Sequence, residues 1–159
     1  MLPRSLGRRL AAQYLYMVDL GGDADIDAFF RATAEADADG RQEAREIAEA
    51  REGRIVFRAE SQPDATDDEA RAFARELIGK ATAERESLDR SLAVAAENWD
   101  VGRMAAVERN ILRVAAAEFS LGATPRAVVI DEAVKLAKRF GGKDSGAFVN
   151  GVLDRLANE

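Results

Sequence analysis

The chain has 159 residues, with 23 Lys plus Arg against 29 Asp plus Glu, and it contains neither Cys nor His. This length corresponds to one domain, which can bury roughly 68–70% of the surface of its unfolded chain. The lack of Cys excludes disulfides, thiolate nucleophiles and Cys-containing metal sites, and the lack of His removes the usual general base and metal ligand. With 47% hydrophobic residues and only 3 Pro, the composition favours an all-α fold.

The net charge of −6 is spread unevenly along the chain. The excess acid lies between residues 21 and 91, which carry 11 basic and 19 acidic residues, whereas residues 1–20 carry three Arg and one Asp. The stretch from Arg126 to Lys143 holds five basic and two acidic residues. Because phosphate contacts need Lys and Arg, these two basic segments are the candidate surfaces for an anionic ligand.

The N-terminal segment does not have the pattern of a leader peptide. Arg8-Arg9 precede an apolar run to Val18 that is short and interrupted by Gln13, and no small-residue cleavage site follows. No segment reaches the ~18–20 apolar residues that span a membrane. We therefore expect a cytoplasmic protein.

Apolar residues at helical spacing predict about seven helices. In chain order they cover residues 5–20, 26–38, 66–82, 88–96, 102–121 and 125–140, with a last helix that begins at Asp144 or Ser145. In the first helix, Arg9, Gln13 and Tyr16 fall on one flank outside the apolar arc. In the fifth helix, Glu108 and Glu118 fall inside the apolar arc, so each needs a basic partner within the fold or on another molecule.

Residues 39–65 differ from the rest of the chain because acidic and basic residues alternate there with few large apolar ones. Ile55-Val56-Phe57 is the only strand-like triplet, and it is too isolated to predict a sheet. We expect one domain over residues 1–159, with a charged, mobile insertion at about 39–65.

No catalytic constellation emerges from the sequence. Gly141-Gly142-Lys143-Asp144-Ser145 lacks the spacing of a phosphate-binding loop and follows a helix rather than a strand. The acidic pairs Asp67-Asp68 and Asp131-Glu132 point to different sides of their helices. We therefore expect no enzyme activity, no cofactor and no metal.

Two separate segments favour an RNA-binding surface. One carries Arg4, Arg8 and Arg9, and the other is the helix start at residues 143–150. Arg side chains grip phosphates, and Phe148 at the edge of its apolar stripe can stack on a base. Ordinary structural roles are alternatives for each segment. The three Arg could form a solvated face, Phe148 could be an edge-of-core aromatic, Asp144 could be an N-cap, and Lys135, Lys138 and Arg139 could pair with Asp131 and Glu132.

Four segments of the sequence have a distinctive wording. They are Val107-Glu108-Arg109-Asn110-Ile111-Leu112-Arg113, Ile130-Asp131-Glu132-Ala133-Val134-Lys135-Leu136-Ala137-Lys138, Phe148-Val149-Asn150-Gly151-Val152-Leu153-Asp154 and the opening Arg8-Arg9-Leu10-Ala11-Ala12-Gln13-Tyr14-Leu15-Tyr16. Together they resemble the NusB family of bacterial transcription antitermination factors. The resemblance implies an all-helical fold of two packed helical subdomains. It also implies binding to the boxA element of ribosomal RNA leader transcripts with a small-subunit ribosomal protein, NusE, which helps RNA polymerase elongate through terminators.

Carried over by position, the resemblance implies two sets of site residues. The RNA-binding set is Arg4, Arg8, Arg9, Arg113, Asp144 and Phe148. The partner-binding set is Tyr16 and Glu108, which would give Glu108 a cation on another chain. Because Ser5, Leu6 and Gly7 dilute the arginine cluster, we expect RNA binding to depend strongly on the basic partner.

Two alternatives compete with this antitermination function. One is the RNA-recognition domain of an rRNA cytosine methyltransferase, which needs a cofactor-binding glycine motif and a Cys nucleophile; the sequence through Glu159 has neither. The other is a helical protein-interaction module with little RNA binding, which the diluted arginine cluster favours. Binding of boxA RNA in the presence of the partner distinguishes the module from an antitermination factor.

Overall fold

The computed structural model describes residues 2–38 and 67–159, so the predicted insertion at 39–65 lies outside the described residues. The helices are α1 (Pro3–Asp19), α2 (Ile26–Ala38), α3 (Asp67–Ala83), α4 (Arg85–Ala95), α5 (Ala106–Leu121), α6 (Arg126–Phe140) and α7 (Ser145–Ala157), with a short 3-10 helix at Val101–Arg103. No strand occurs in these two ranges. The prediction of an all-α fold with about seven helices is confirmed.

Helix α5 lies at the centre of the fold, where it packs against α1, α3, α4, α6 and α7. Helices α1 and α3 pack together on one side of it, and α6 and α7 pack together on the other. The second helix, α2, joins the first group through an edge-to-face contact between Tyr14 and Phe29, whose ring centroids are 5.5 Å apart. Two groups of helices therefore share one central element.

Most predicted helix ends agree with the structure, but the predicted helix 102–121 is divided. The Asp100 side chain accepts a hydrogen bond of 2.9 Å from the backbone N–H of Gly102, which closes the 3-10 turn before α5 begins. At the other end, Gly122 adopts the left-handed conformation, with φ of 71°, and its N–H bonds to the carbonyl of Glu118. The prediction of one continuous helix from Gly102 was therefore wrong at its start.

Helix α1 is buried around almost its whole circumference, including the flank that lies outside its apolar arc. Arg9, Gln13 and Tyr16 are all buried, as is Arg8. The reason is that α3 and α5 both pack on α1, so that a side chain outside the apolar arc still meets a neighbouring helix. The interpretation of the arginine cluster as a solvated face is therefore wrong for Arg8 and Arg9.

The contact between α1 and α3 is unusually close at Gly7. A Cβ atom at this position would lie 2.8 Å from the backbone carbonyl oxygen of Ala70 and 2.9 Å from a ring carbon of Phe73. Only a glycine fits such a helix crossing without displacing backbone. Gly7, which dilutes the arginine cluster, thus allows α1 and α3 to approach each other closely.

Helix α6 keeps its basic side chains on the outside, as predicted. Lys135, Lys138 and Arg139 are exposed, and the Lys135 ammonium lies 2.9 Å from the Asp131 carboxylate one turn earlier. The expected i,i+4 pairing is confirmed for Lys135. None of the helices in the described ranges combines the length and apolar character that a membrane crossing requires.

Candidate nucleic-acid and partner interface

An open groove of about 570 Å³ lies between the C-terminal part of α1, the start of α5 and the connection from α6 to α7. The lining residues are Tyr16 from α1 and Leu20 directly after it, residues 104–109 around the start of α5, and residues 141–145, which lead into the first residue of α7. Both predicted partner-binding residues, Tyr16 and Glu108, therefore line the same groove. Asp144, which was predicted on the RNA side, lines it as well.

Glu108 is held at the wall of this groove by the first residue of α7. The Ser145 hydroxyl donates a hydrogen bond of 2.6 Å to Oε1 of Glu108. In the part of the chain that the structure describes, no cation pairs with this carboxylate. Glu108 is only partly buried, so it remains able to meet a positively charged group from outside.

The other carboxylate on the apolar arc of α5 has a partner inside the fold. Glu118 is 1% exposed and receives two hydrogen bonds from the guanidinium of Arg8. Arg8 Nη1 also lies 4.0 Å from an oxygen of Glu132 on α6. The two glutamates that the sequence singled out therefore have different roles, one internal and one facing the groove.

Arg109, which also lines the groove, is fixed by Asp19 at the end of α1. Its Nε and Nη2 atoms lie 2.8 and 2.6 Å from Oδ2 of Asp19, and the Asn110 amide donates to the same oxygen at 2.9 Å. Burial disfavours the charged form of Asp19, but the hydrogen bonds from Asn110 and Arg109, with the charges of Arg109 and Arg113, outweigh this effect and hold its pKa below the usual value. Asp19 is therefore an ionised anchor between α1 and α5.

Three of the predicted RNA-binding arginines lie inside the fold. Arg8, Arg9 and Arg113 are 5%, 1% and 7% exposed, respectively. Arg113 makes two hydrogen bonds of 2.8 Å to the carboxylate of Asp89 on α4. Their assignment as RNA contacts stays a prediction, and in this structure their guanidinium groups face protein.

The remaining predicted RNA residues are more accessible. Arg4 is exposed, and its guanidinium carbon lies 4.7 Å from the centre of the Phe73 ring. Asp144 is exposed at the N-cap position of α7 but makes no side-chain capping bond. Phe148 is partly buried against the core. Asp144 and Phe148 thus lie one turn apart at the start of α7, whereas Arg4 lies on the α1–α3 side.

Three residues that shape the groove were not predicted from the sequence. Ser145 was considered only as a helix cap, although its hydroxyl bonds to Glu108 instead. Asp19 could have been found because a carboxylate at a helix C-terminus opposes the helix dipole and needs cations. Leu20 is a large apolar residue directly before Gly21-Gly22, and it is 50% exposed in the groove.

Comparison with known proteins shows the family of the chain. The NusB family profile matches residues 6–158, which is nearly the whole chain. The chain belongs to the NusB family. Transcription antitermination protein NusB of Sorangium cellulosum is 37% identical over 97% of this chain and 91% of its own, and NusB of Myxococcus xanthus is 35% identical over 97% and 94%.

Solved structures show the NusB fold. A crystal structure of the antitermination factors NusB and NusE with double-stranded RNA has a TM-score of 0.71 at 24% identity, covering 98% of this chain and 96% of that one. A structure of T. maritima NusB has a TM-score of 0.57 at 28% identity and covers 100% of this chain and 94% of that one. The solution structure of Aquifex aeolicus NusB has a TM-score of 0.67 at 24% identity, covering 99% and 89%.

Proposed function

We propose that this chain is a cytoplasmic transcription antitermination factor without catalytic activity. It binds boxA-type RNA of ribosomal RNA leader transcripts together with the small-subunit ribosomal protein NusE, and so supports processive elongation by RNA polymerase. The observation that carries the proposal is the match to the NusB family over residues 6–158. A structural neighbour that contains NusB, NusE and RNA supports the joint binding of both ligands.

The partner surface is the groove that contains Tyr16 and Glu108. Leu20 supplies an exposed apolar contact there, while Glu108 supplies a negative charge with no cation among the described residues. A ribosomal protein is basic, and the net charge of −6 on this chain favours its approach. An apolar residue beside an accessible carboxylate fits a partner segment that carries both an apolar side chain and Lys or Arg.

The RNA surface includes the first turn of α7. The Phe148 ring can stack on an unpaired base, and the Asp144 carboxylate can accept a hydrogen bond from an amino group on a base edge. A carboxylate repels phosphate, so its contribution is to base selection. Arg4 supplies a phosphate contact from the α1–α3 side.

We propose that Arg8, Arg9 and Arg113 contribute to RNA binding mainly by stabilising the fold that presents the RNA surface. Each guanidinium is enclosed by protein, and for Arg8 and Arg113 the carboxylate partners are Glu118 and Asp89. Substitution of Arg8 would leave the buried Glu118 carboxylate without its closest partner, and substitution of Arg113 would leave the partly buried Asp89 carboxylate without its two hydrogen bonds. The consequence is a loss of RNA affinity that accompanies a loss of stability.

Fluorescence anisotropy of labelled boxA RNA and a scrambled RNA, with and without NusE at fixed salt, tests this function. We expect selective binding that the partner strengthens. Equal affinity for both RNAs in every mixture would contradict the proposal. Binding of NusE without any RNA binding would instead identify a protein-interaction module, the alternative that the burial of three arginines favours.

A further inference from the structure

Ser145 is the first residue of α7, and its buried hydroxyl makes a hydrogen bond to Glu108. The residue is 3% exposed, and its backbone N–H bonds to the carbonyl of Gly142 at 3.2 Å. The hydroxyl instead donates to Oε1 of Glu108 at 2.6 Å, across the wall of the groove. A short hydrogen bond to a carboxylate is among the stronger ones in proteins, so it can fix the orientation of the acceptor.

The surroundings of Ser145 are shaped so that its hydroxyl can occupy this place. A Cβ atom at Gly141 would lie 2.4 Å from the Ser145 Oγ and 2.6 Å from the carbonyl oxygen of Ala137. Gly141 has φ of −92°, which any residue adopts, so the need for glycine here is steric. The loop between α6 and α7 therefore preserves the space for this hydroxyl.

The second oxygen of Glu108 is left available. No described residue donates a hydrogen bond to Oε2, and none supplies a cation to the carboxylate. Glu108 lines the groove together with Tyr16 of α1 and Leu20, the residue that follows α1. One oxygen is thus fixed by α7, while the other can accept from a charged donor.

We propose that Ser145 is a positioning residue for partner binding. Its hydroxyl holds Oε1 of Glu108 and thereby presents Oε2 to a Lys or Arg side chain of the basic partner in the groove. This inference rests on the proposed function, because it assumes that the groove receives NusE. It adds a residue outside the predicted partner-binding set.

A double-mutant cycle tests the role of Ser145. The dissociation constant for NusE is measured by calorimetry for the wild type, Ser145→Ala, Glu108→Gln and the double variant. Ser145→Ala should weaken binding about threefold to tenfold, and this effect should disappear in the Glu108→Gln background, because the hydroxyl acts only through that carboxylate.

Ser120→Ala is a matched control, because Ser120 also donates to a glutamate, Glu84, at 2.9 Å but does not line the groove. Its affinity for NusE should equal that of the wild type. Ser145→Cys, which keeps the side-chain volume but replaces the hydroxyl with a weaker donor, should weaken binding in the same direction and replaces Ser145→Ala if thermal melting shows that variant to be unfolded.

The outcomes distinguish a failure of the proposed function from a failure of the proposed role of Ser145. If the wild type does not bind NusE, the proposed function fails. If the wild type binds but Ser145→Ala binds equally well, Ser145 has no positioning role. An equal loss from Ser145→Ala in the wild-type and Glu108→Gln backgrounds would also overturn the inference, because it would indicate a general structural effect.

Discussion

Arg8 and Glu118 form a two-bond ion pair within the helical core. Nε and Nη2 of Arg8 lie 2.8 and 2.7 Å from Oε2 and Oε1 of Glu118, and both side chains are almost fully buried. The Arg8 guanidinium also lies 5.3 Å from the centre of the Phe73 ring. The pair thus joins α1 to the C-terminal half of α5, with α3 covering it.

Glu118→Ala should destabilise the protein strongly, because it removes both acceptors from the buried Arg8 guanidinium and leaves only the Glu132 carboxylate, 4.0 Å away, as a counter-charge. We expect a loss of about 3–5 kcal/mol in the free energy of unfolding, measured by urea denaturation. The double variant Arg8→Met/Glu118→Leu should recover most of this loss. A Glu118→Ala variant as stable as the wild type would show that Arg8 finds another partner. The double variant also tests whether Arg8 contacts RNA once its stability effect is removed.

Gly7→Ala should destabilise the contact between α1 and α3. The added methyl would lie 2.8 Å from a backbone oxygen that cannot rotate away, so the expected cost is about 1–3 kcal/mol. Gly79→Ala on α3 is the matched control, because nothing lies within 4 Å of its added Cβ. There the better helix propensity should stabilise the protein by about 0.5–1 kcal/mol. Thermal unfolding would give shifts of opposite sign, and equal signs would refute the steric explanation.

Acid should weaken the anchor at Asp19. Because the hydrogen bonds and nearby arginines hold its pKa below the usual value despite burial, the stability it contributes is present above the unfolded-state pKa of about 3.9 and is lost as the pH falls through the folded-state pKa. The difference in unfolding free energy between the wild type and Asp19→Asn should therefore shrink as the pH falls from about 5 towards 2. A difference for Asp19→Asn that does not depend on pH would contradict the prediction.

Arg4 and Phe148 should affect RNA binding in different ways. In the complex with NusE, Arg4→Ala should reduce the slope of log affinity against log salt by about 0.7, the value for one phosphate contact on single-stranded RNA. Phe148→Leu should weaken binding by about 1–3 kcal/mol without changing that slope, because stacking releases no counterions. Lys135→Ala is the control, since Lys135 is exposed but paired with Asp131. Identical slopes for Arg4→Ala and the wild type would exclude a phosphate contact.

The sequence predicted helix boundaries well where glycine or proline marks them. Both ends of α2 were predicted to the residue, and α6 follows Pro125 and ends before Gly141 as expected. It did not predict the burial of Arg9 and Gln13, because helical periodicity describes one apolar face and cannot reveal how many helices surround α1.

The groove could be predicted only in part. The family resemblance singled out Tyr16 and Glu108, and the structure places both in its lining. The bond from Ser145 to Glu108 joins residues 37 positions apart, and the contact from Asp19 to Arg109 joins residues 90 apart. Such pairings depend on how the helices cross. The spacing of residues within a single helix carries no information about that crossing.

Helix α5 carries four charged side chains that each connect to a different point of the surrounding fold. The pairs are Glu108 with Ser145, Arg109 with Asp19, Arg113 with Asp89, and Glu118 with Arg8. A rotation of α5 about its axis, or a slide by one turn, would break several of these contacts together, whereas small apolar residues such as Ala115, Ala116 and Ala117 would tolerate either movement. The polar contacts thus fix the rotation of an alanine-rich helix about its axis. The shape of the groove depends on that rotation, because the start of α5 forms part of its lining.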